Sequence, residues 1–130
     1  MKTIIAGSRT IDSRFAYNCI EYCVRRIDWK ITEIFSGLAR GVDTIALLYS
    51  MKNGIKYKTF KAKWDEFGKK AGPMRNLLMS KEADALIAIW DGESRGTKNM
   101  IEIAKRKGIK IYVLNLKNLD KETLKSLDGE

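Results

Sequence analysis

The chain alternates between short, densely apolar runs and longer stretches in which apolar residues return every three to four positions. The runs Met1–Ala6, Ile31–Phe35, Lys56–Phe60, Ala85–Trp90 and Ile109–Leu114 read as β-strands. Between the first two, helical spacing puts Phe15, Cys19, Ile20, Cys23, Val24 and Ile27 on one face of a helix running from Asp12 or Ser13 to about Asp28. A second helix is predicted over Val42–Asn53, with Gly54 just past its end. A third is predicted over Met74–Ala83, opening at Pro73, with Met74, Leu77, Leu78 and the stem of Lys81 turned inward. A fourth covers Thr97–Lys107, with Met100, Ile101 and Ala104 apolar and Lys105, Arg106 and Lys107 at the negative end of its dipole. Gly108 stops it. Lys61–Gly72 has no clean period and is expected to be a long loop.

Ala85–Trp90 is apolar throughout, the mark of a strand buried on both faces, and is expected beside the first strand at the centre of a sheet. Strands alternate with helices along the whole chain, which predicts an α/β fold with a parallel five-stranded sheet covered by helices on both faces. Residues 1–117 form this domain in the sequence reading, and 118–130 form a charged tail or short helix.

In such sheets ligands bind beyond the carboxyl ends of the strands, near the point where strand order reverses. Three glycine-bearing segments fall there: Gly7–Thr10, Ser36–Asp43 and Asp91–Thr97. Gly37 and Gly41 are expected to let the backbone turn and a ligand come close. The helix after them offers free N–H groups and the positive end of its dipole, and Arg40 adds donors. Arg9, Arg75 and Arg95 lie in or just after the same cleft segments, and Ser8, Ser36, Ser94 and Thr97 supply hydroxyls. This inventory suits nucleotide phosphates better than the paired carboxylates of a glycosidase. Ser36 and Thr97 can equally cap helices, Asp91 can cap its own turn, and Asp43 either benefits from the helix dipole or binds ribose hydroxyls.

Composition narrows the chemistry. The chain has 130 residues, 25 basic against 16 acidic, and a formal net charge of +9, a balance that suits nucleic acid, a phosphorylated small molecule or solubility alone. It has no histidine, which removes the usual neutral-pH general base and any Ser-His or Cys-His pair. The two cysteines share a helix face and read as reduced core thiols, with too few ligands for a metal site. Met1-Lys2 leads straight into a strand-like run with no signal peptide, and no apolar stretch is long enough to cross a membrane, so a cytoplasmic location is expected. Lys56–Lys70 interleaves lysines with Tyr57, Phe60, Trp64 and Phe67. This is either a basic strand with its aromatics in the core or a track for a phosphate backbone, and Trp64, in the loop, is placed to stack on a base.

Four ordered motifs carry a family resemblance: Gly7-Ser8-Arg9-Thr10, Ser36-Gly37-x-Ala39-Arg40-Gly41-Val42-Asp43, Gly72-Pro73-x-Arg75-Asn76 and Asp91-Gly92-x-Ser94-x-Gly96-Thr97. Together they resemble the SLOG superfamily, most closely its small YspA-like branch of bacteria and phages, from Met1 to about Leu114. The resemblance implies a Rossmann-like fold and a nucleotide or nucleotide-derived ligand. The superfamily includes the LOG phosphoribohydrolases, the single-strand DNA-binding protein DprA and ligand-sensing domains, and homo-oligomers that pair through helix faces. LOG enzymes have an Arg-Lys-x-x-Met helix, an Ala-Asp-Ala strand entry and a Pro-Gly-Gly-x-Gly-Thr-x-x-Glu loop. Arg75-Asn76-Leu77-Leu78-Met79, Ala83-Asp84-Ala85 and Asp91–Thr97 match these in turn, with Asn76 replacing the lysine. The LOG catalytic glutamate falls on Met100, and Glu102 lies roughly 200° round the helix from it.

The resemblance therefore implies a binder, a sensor or sequester, more than a LOG-type enzyme. Gly7, Ser8, Arg9, Ser36, Gly37, Arg40, Gly41, Asp43, Arg75, Asn76, Asp91, Gly92, Ser94, Gly96 and Thr97 would hold the ligand. No metal and no other cofactor is expected. Two alternatives remain open: an N-glycosidic hydrolase using Glu93, Asp43 or Glu102, and a DprA-like single-strand nucleic-acid binder.

Overall fold

Every residue of Ala85–Trp90 is apolar because that strand sits inside the sheet with helices above and below it. In the computed structural model, which describes residues 1–129, the strands are β1 (Lys2–Gly7), β2 (Glu33–Ser36), β3 (Lys56–Thr59), β4 (Ala85–Trp90) and β5 (Lys110–Asn115). They form one sheet in the order β3-β2-β1-β4-β5, and all neighbouring pairs run parallel. β4 lies directly against β1, as its apolar run predicts.

Helices α1 (Ser13–Arg26) and α2 (Val42–Lys52) cover one face. There Cys19, Ile20, Val42 and Ala46 pack on Ile5, Ile34, Ile87 and Ile89. Two further helices, α4 (Ala71–Glu82) and α5 (Arg95–Lys107), cover the other, where Met79, Met100 and Ala104 pack on Ile4, Phe35, Leu86 and Ala88. Successive strand residues such as Ile4 and Ile5 thus serve opposite cores, and each fully buried aliphatic chain contributes about 1.5–3 kcal/mol. The short helix α6 (Lys121–Leu127) packs its buried Leu127 against the α1 side, and Asn18 Nδ2 donates to the Leu127 carbonyl at 2.7 Å. Glu130 lies outside the described residues. Among the described residues no helix is long and apolar enough to cross a membrane.

Three expectations are corrected. The first helix ends at Arg26, two residues before Asp28, because Ile27 turns to an extended backbone. Lys61–Gly72 is not a structureless loop: it holds α3 (Trp64–Phe67), a 3-10 turn at Gly68–Lys70 and the first residues of α4. One turn of helix is too short to show a period, and Pro73 fits the first turn of α4, where its missing N–H costs nothing. The third correction is the largest. Met74, Leu77 and Leu78 face outward on α4 with large exposed surfaces, and Arg75, Asn76, Met79 and Ser80 face inward. Arg75 and Asn76 interrupt the apolar pattern of that inward face because they close the cleft described below. In Lys56–Lys70 the aromatics divide: Phe60 packs on Phe35 with ring centroids 5.1 Å apart, whereas Tyr57, Trp64 and Phe67 are exposed.

Cys19 and Cys23 are free and fully buried in the α1 core. Burial, then the nearby Asp128 charge, pushes the Cys19 thiol up to about 12, so it stays protonated and inert.

Candidate functional site

The strand order runs outward from β1 to β2 and β3, then reverses to β4 and β5, so the crevice opens beyond the ends of β1 and β4, at Gly7 and Trp90. The three glycine-bearing loops and the inward face of α4 meet there. They enclose a small inner chamber of about 110 Å³, walled by Gly7, Arg9, Ala39, Asp43, Arg75, Asn76, Ser94, Gly96, Thr97 and Met100.

The first two loops are fixed by contacts with each other, with β4 and with α4. A Cβ on Gly7 would stand against the Ile89 carbonyl and 2.6 Å from Val42 Cγ2, so glycine here lets β1 approach β4 and α2. A Cβ on Gly37 would collide with the Arg75 guanidinium. Gly41 has φ +75°, and a Cβ there would meet the Ser8 carbonyl at 2.5 Å. These glycines therefore admit neighbouring protein, not a ligand. At Gly96 nothing lies within 4 Å of the Cβ position, and only there does glycine leave the cleft open.

Several hydroxyl and carboxylate groups are committed in the same way. Ser36 Oγ donates to the Asp43 carbonyl at 2.7 Å and accepts from the Leu38 N–H at 3.2 Å, which braces the second loop. Ser8 Oγ accepts from the Asp91 N–H at 3.0 Å and joins the first loop to the third. Asp91 Oδ1 accepts from the Glu93 and Ser94 N–H groups at 2.8 Å each. Burial works to raise the Asp91 carboxyl, but those bonds and one from Ser8 outweigh it and leave it low. Gly92, next to it, packs on Lys117 and Asn115.

Asp43 and Arg75 form the floor. Asp43 is 4% exposed, and its Oδ1 accepts from the Gly7 N–H at 3.2 Å. Arg75 is 9% exposed; its Nη1 donates to the Gly37 carbonyl and its Nε donates to Asn76 Oδ1 at 2.9 Å. Asn76 Nδ2 in turn donates to Asn99 Oδ1 at 2.9 Å, which ties α4 to α5. Arg75 is thus a buried strut joining α4 to the second loop, with only part of its fork left for a ligand. Arg9 is exposed at the mouth, 5.8 Å from the Trp64 ring centroid.

Helix α5 brings free donors to the chamber. It starts at Arg95, two residues earlier than expected, with Ser94 as its N-cap, and no side chain among the described residues caps its first turn. The Ser94 and Thr97 hydroxyls are 3.3 Å apart at the chamber wall. That uncapped turn, the Arg9 and Arg75 charges and two hydroxyls are groups that can hydrogen-bond an anion.

The structure therefore brings Gly7, Arg9, Asp43, Arg75, Asn76, Ser94, Gly96 and Thr97 to one chamber. Ser8, Ser36, Gly41, Asp91 and Gly92 lie behind it as loop supports. Arg40 is exposed and Arg95 borders only an outer cavity of the cleft. Asn99 carries no signal in the sequence, because a single asparagine on a helix stands out only once its partner Asn76 is known. Met100 does face the chamber, where the resemblance puts the LOG acid. Glu102 is exposed, and Glu93 pairs at the surface with Lys117 at 3.1 Å. Asp43 is thus the carboxylate that walls the chamber among the described residues. Among them, too, no group of three or more histidine, cysteine, aspartate or glutamate side chains stands together to hold a metal.

Asp43 makes stability depend on pH. Burial pushes its carboxyl up to about 6, against the pull of the Arg75 charge, the Gly7 and Ala39 N–H groups and the Arg9 charge. In the unfolded chain it titrates near the ordinary 3.8. As pH rises between these values the unfolded chain releases its proton first, so the folded state loses stability until pH passes about 6. The gap corresponds to about 3 kcal/mol. Urea unfolding from about pH 4 to about pH 7.5 should show the parent falling by about 2.4 kcal/mol relative to Asp43→Asn, the rest of the gap lying below about pH 4. Parallel curves would mean that Asp43 ionises as freely in the fold as in water.

No family model matches the sequence. The chain is 29% identical over 119 residues to the gene 61 protein of Mycobacterium phage D29, an alignment covering 85% of this chain and 93% of that protein. Its fold is similar to DNA processing protein A (DprA) from Streptococcus pneumoniae, with a TM-score of 0.71 at 21% identity. That match covers 98% of this chain and 56% of DprA, so the chain spans little more than half of DprA's length. A predicted subunit of tRNA methyltransferase from Methanocaldococcus jannaschii is also similar, with a TM-score of 0.52 at 10% identity, over 100% of this chain and 75% of that one. At these identities the likenesses establish a DprA-like, Rossmann-like fold.

Proposed function

We propose that this chain is a cytoplasmic member of the SLOG superfamily, in its YspA-like branch, that holds a nucleotide or nucleotide-derived ligand as a sensor or sequester. The observation that carries this reading is the convergence of Arg9, Arg75 and the uncapped first turn of α5 on one chamber at the β1/β4 switch point. Ligand phosphate would sit against those donors, with Asp43 and Asn76 beside the sugar or base. Among the described residues Asp43 is the one carboxylate at the chamber wall and Met100 stands beside it, which supports binding over LOG-type hydrolysis.

The test is a thermal-shift screen against mononucleotides, ADP-ribose and cyclic dinucleotides, with chromatography of each hit. A ligand at a hundred times its Kd adds about 2.7 kcal/mol of stability. Arg9 is the clean probe because it is exposed. Arg9→Ala should weaken a hit by roughly 10- to 100-fold, the loss of a charged hydrogen bond, and change stability by no more than about 0.5 kcal/mol. Equal affinity in parent and variant would refute the site. Conversion of a hit to free base would support a hydrolase instead, with Asp43 as its acid.

A second reading, single-strand nucleic-acid binding, is favoured by the cleft mouth, where Lys61, Lys69 and Arg95 surround the exposed Trp64, and by the fold shared with a DNA-processing protein. It requires an affinity for oligonucleotides that falls steeply with salt.

A further inference from the structure

The inner chamber is too small for a nucleoside, but it does not stand alone. One neighbouring cavity of about 300 Å³ lies beside Leu38 and Lys61, and another of about 380 Å³ lies beside Pro73 and Asn99. Each reaches the volume of roughly 300 Å³ at which small-molecule pockets begin, whereas the inner chamber, about 110 Å³, falls well short. Arg9 and Arg75 border all three spaces. Trp64 borders both outer cavities and is the aromatic part of the wall they share.

That wall is supported. Trp64 sits on the single turn of α3 and is 48% exposed, yet a Cβ on Gly72 would stand only 3.3 Å from its Cη2. Glycine in the first turn of α4 thus leaves the room in which the ring edge rests. Arg9 lies over the ring, 5.8 Å from its centroid.

We propose that the cleft takes a ligand of two nucleotide units joined by a phosphate. One unit lies in each outer cavity, the bases stack against Trp64, and the bridging phosphate lies between Arg9 and Arg75. Two cavities of similar size, an aromatic wall common to both and two guanidinium groups at their junction match two planar bases and one central anion. A mononucleotide would fill one side only. The inference rests on the nucleotide reading of the cleft and adds the size class of the ligand and the role of Trp64. The two-unit ligand is either a free dinucleotide or the terminal pair of a strand; the same contacts serve both.

The test is calorimetric titration of the full chain with AMP, GMP, the 5′-phosphorylated dinucleotides pApA and pGpG, and 5′-phosphorylated oligonucleotides of increasing length. The better dinucleotide should bind at least roughly tenfold tighter than its mononucleotide, because the second unit is held at high effective concentration. Trp64→Ala should cut dinucleotide affinity by roughly fivefold or more and remove most of its advantage, while Trp64→Phe keeps it. Oligonucleotides that bind no tighter than the dinucleotide would identify a strand end as a second source of the same unit and support the proposal. Affinity that climbs with every added nucleotide would overturn it in favour of strand tracking. So would a dinucleotide advantage that survives Trp64→Ala. Equal affinity for mono- and dinucleotides overturns the inference and leaves the nucleotide site standing; no binding by any probe, with the fold intact by circular dichroism, refutes both.

Discussion

Arg75→Ala is expected to cost the fold about 3–5 kcal/mol near neutral pH, a fall in Tm on the order of 10–20 °C. Two losses add. The Gly37 carbonyl and Asn76 Oδ1 lose their donor, and the second loop is released from α4. Asp43 is left as a buried carboxylate, 4% exposed, without the charge that acts on it most strongly. The second loss can be relieved by a proton. The damage should therefore shrink as pH falls toward about 6 and stay constant below it, where Asp43 is protonated with or without Arg75, and Arg75→Ala combined with Asp43→Asn should cost less than the two changes separately. Urea unfolding at two pH values, on all four proteins, decides it. A cost under about 1 kcal/mol with full additivity would show that Arg75 and Asp43 do not act as a unit. The expectation also bears on function: lost binding in Arg75→Ala would confound site and scaffold, which is why exposed Arg9 is the better probe.

Gly7→Ala should be almost as severe, about 3 kcal/mol, from a single methyl group. Its Cβ would press on the backbone of β4 and on a β-branched side chain of α2, and neither has a flexible end that can swing away. Relief would require β1 and β4 to move apart at the centre of the sheet, which carries both cores. Gly96→Ala is the control. Its Cβ meets nothing within 4 Å, and alanine in a helix outranks glycine by up to about 1 kcal/mol, so the variant should be as stable as the parent or more so. Chemical denaturation of both variants tests the pair. If the two substitutions cost the same, close packing of the first loop is not what glycine provides there.

Both predictions turn on contacts that no reading of the sequence supplies. Along the chain, strand-like runs alternating with helical stretches, the fully apolar Ala85–Trp90, and glycines with hydroxyls after the strands were enough for the parallel five-stranded sheet. They also placed a polar cleft at its carboxyl edge. These features are local: a strand buried on both faces must be apolar throughout, and a turn into a helix favours small and polar residues. The helix stop at Gly108 is legible for the same reason, since it takes the left-handed conformation with φ +72° that ends α5.

What a residue faces is a different matter, because it depends on partners far away in sequence. Met74, Leu77 and Leu78 make a proper helical face, yet α4 turns it outward and buries Arg75 and Asn76. Helical period identifies a face but not its direction, and here the helix must close a polar cleft, so its polar stripe meets partners on the second loop and α5. Gly37 and Gly41 look alike in sequence to glycines that cradle a ligand. Only the packed loops reveal that Arg75 and the Ser8 carbonyl occupy the space their side chains would need. The sequence alone determined the elements, their order and the edge where chemistry collects, because these follow from nearest-neighbour sterics and burial. The tertiary structure alone decided which polar groups hold the loops together and which, Arg9, Trp64 and the first turn of α5, remain to meet something else.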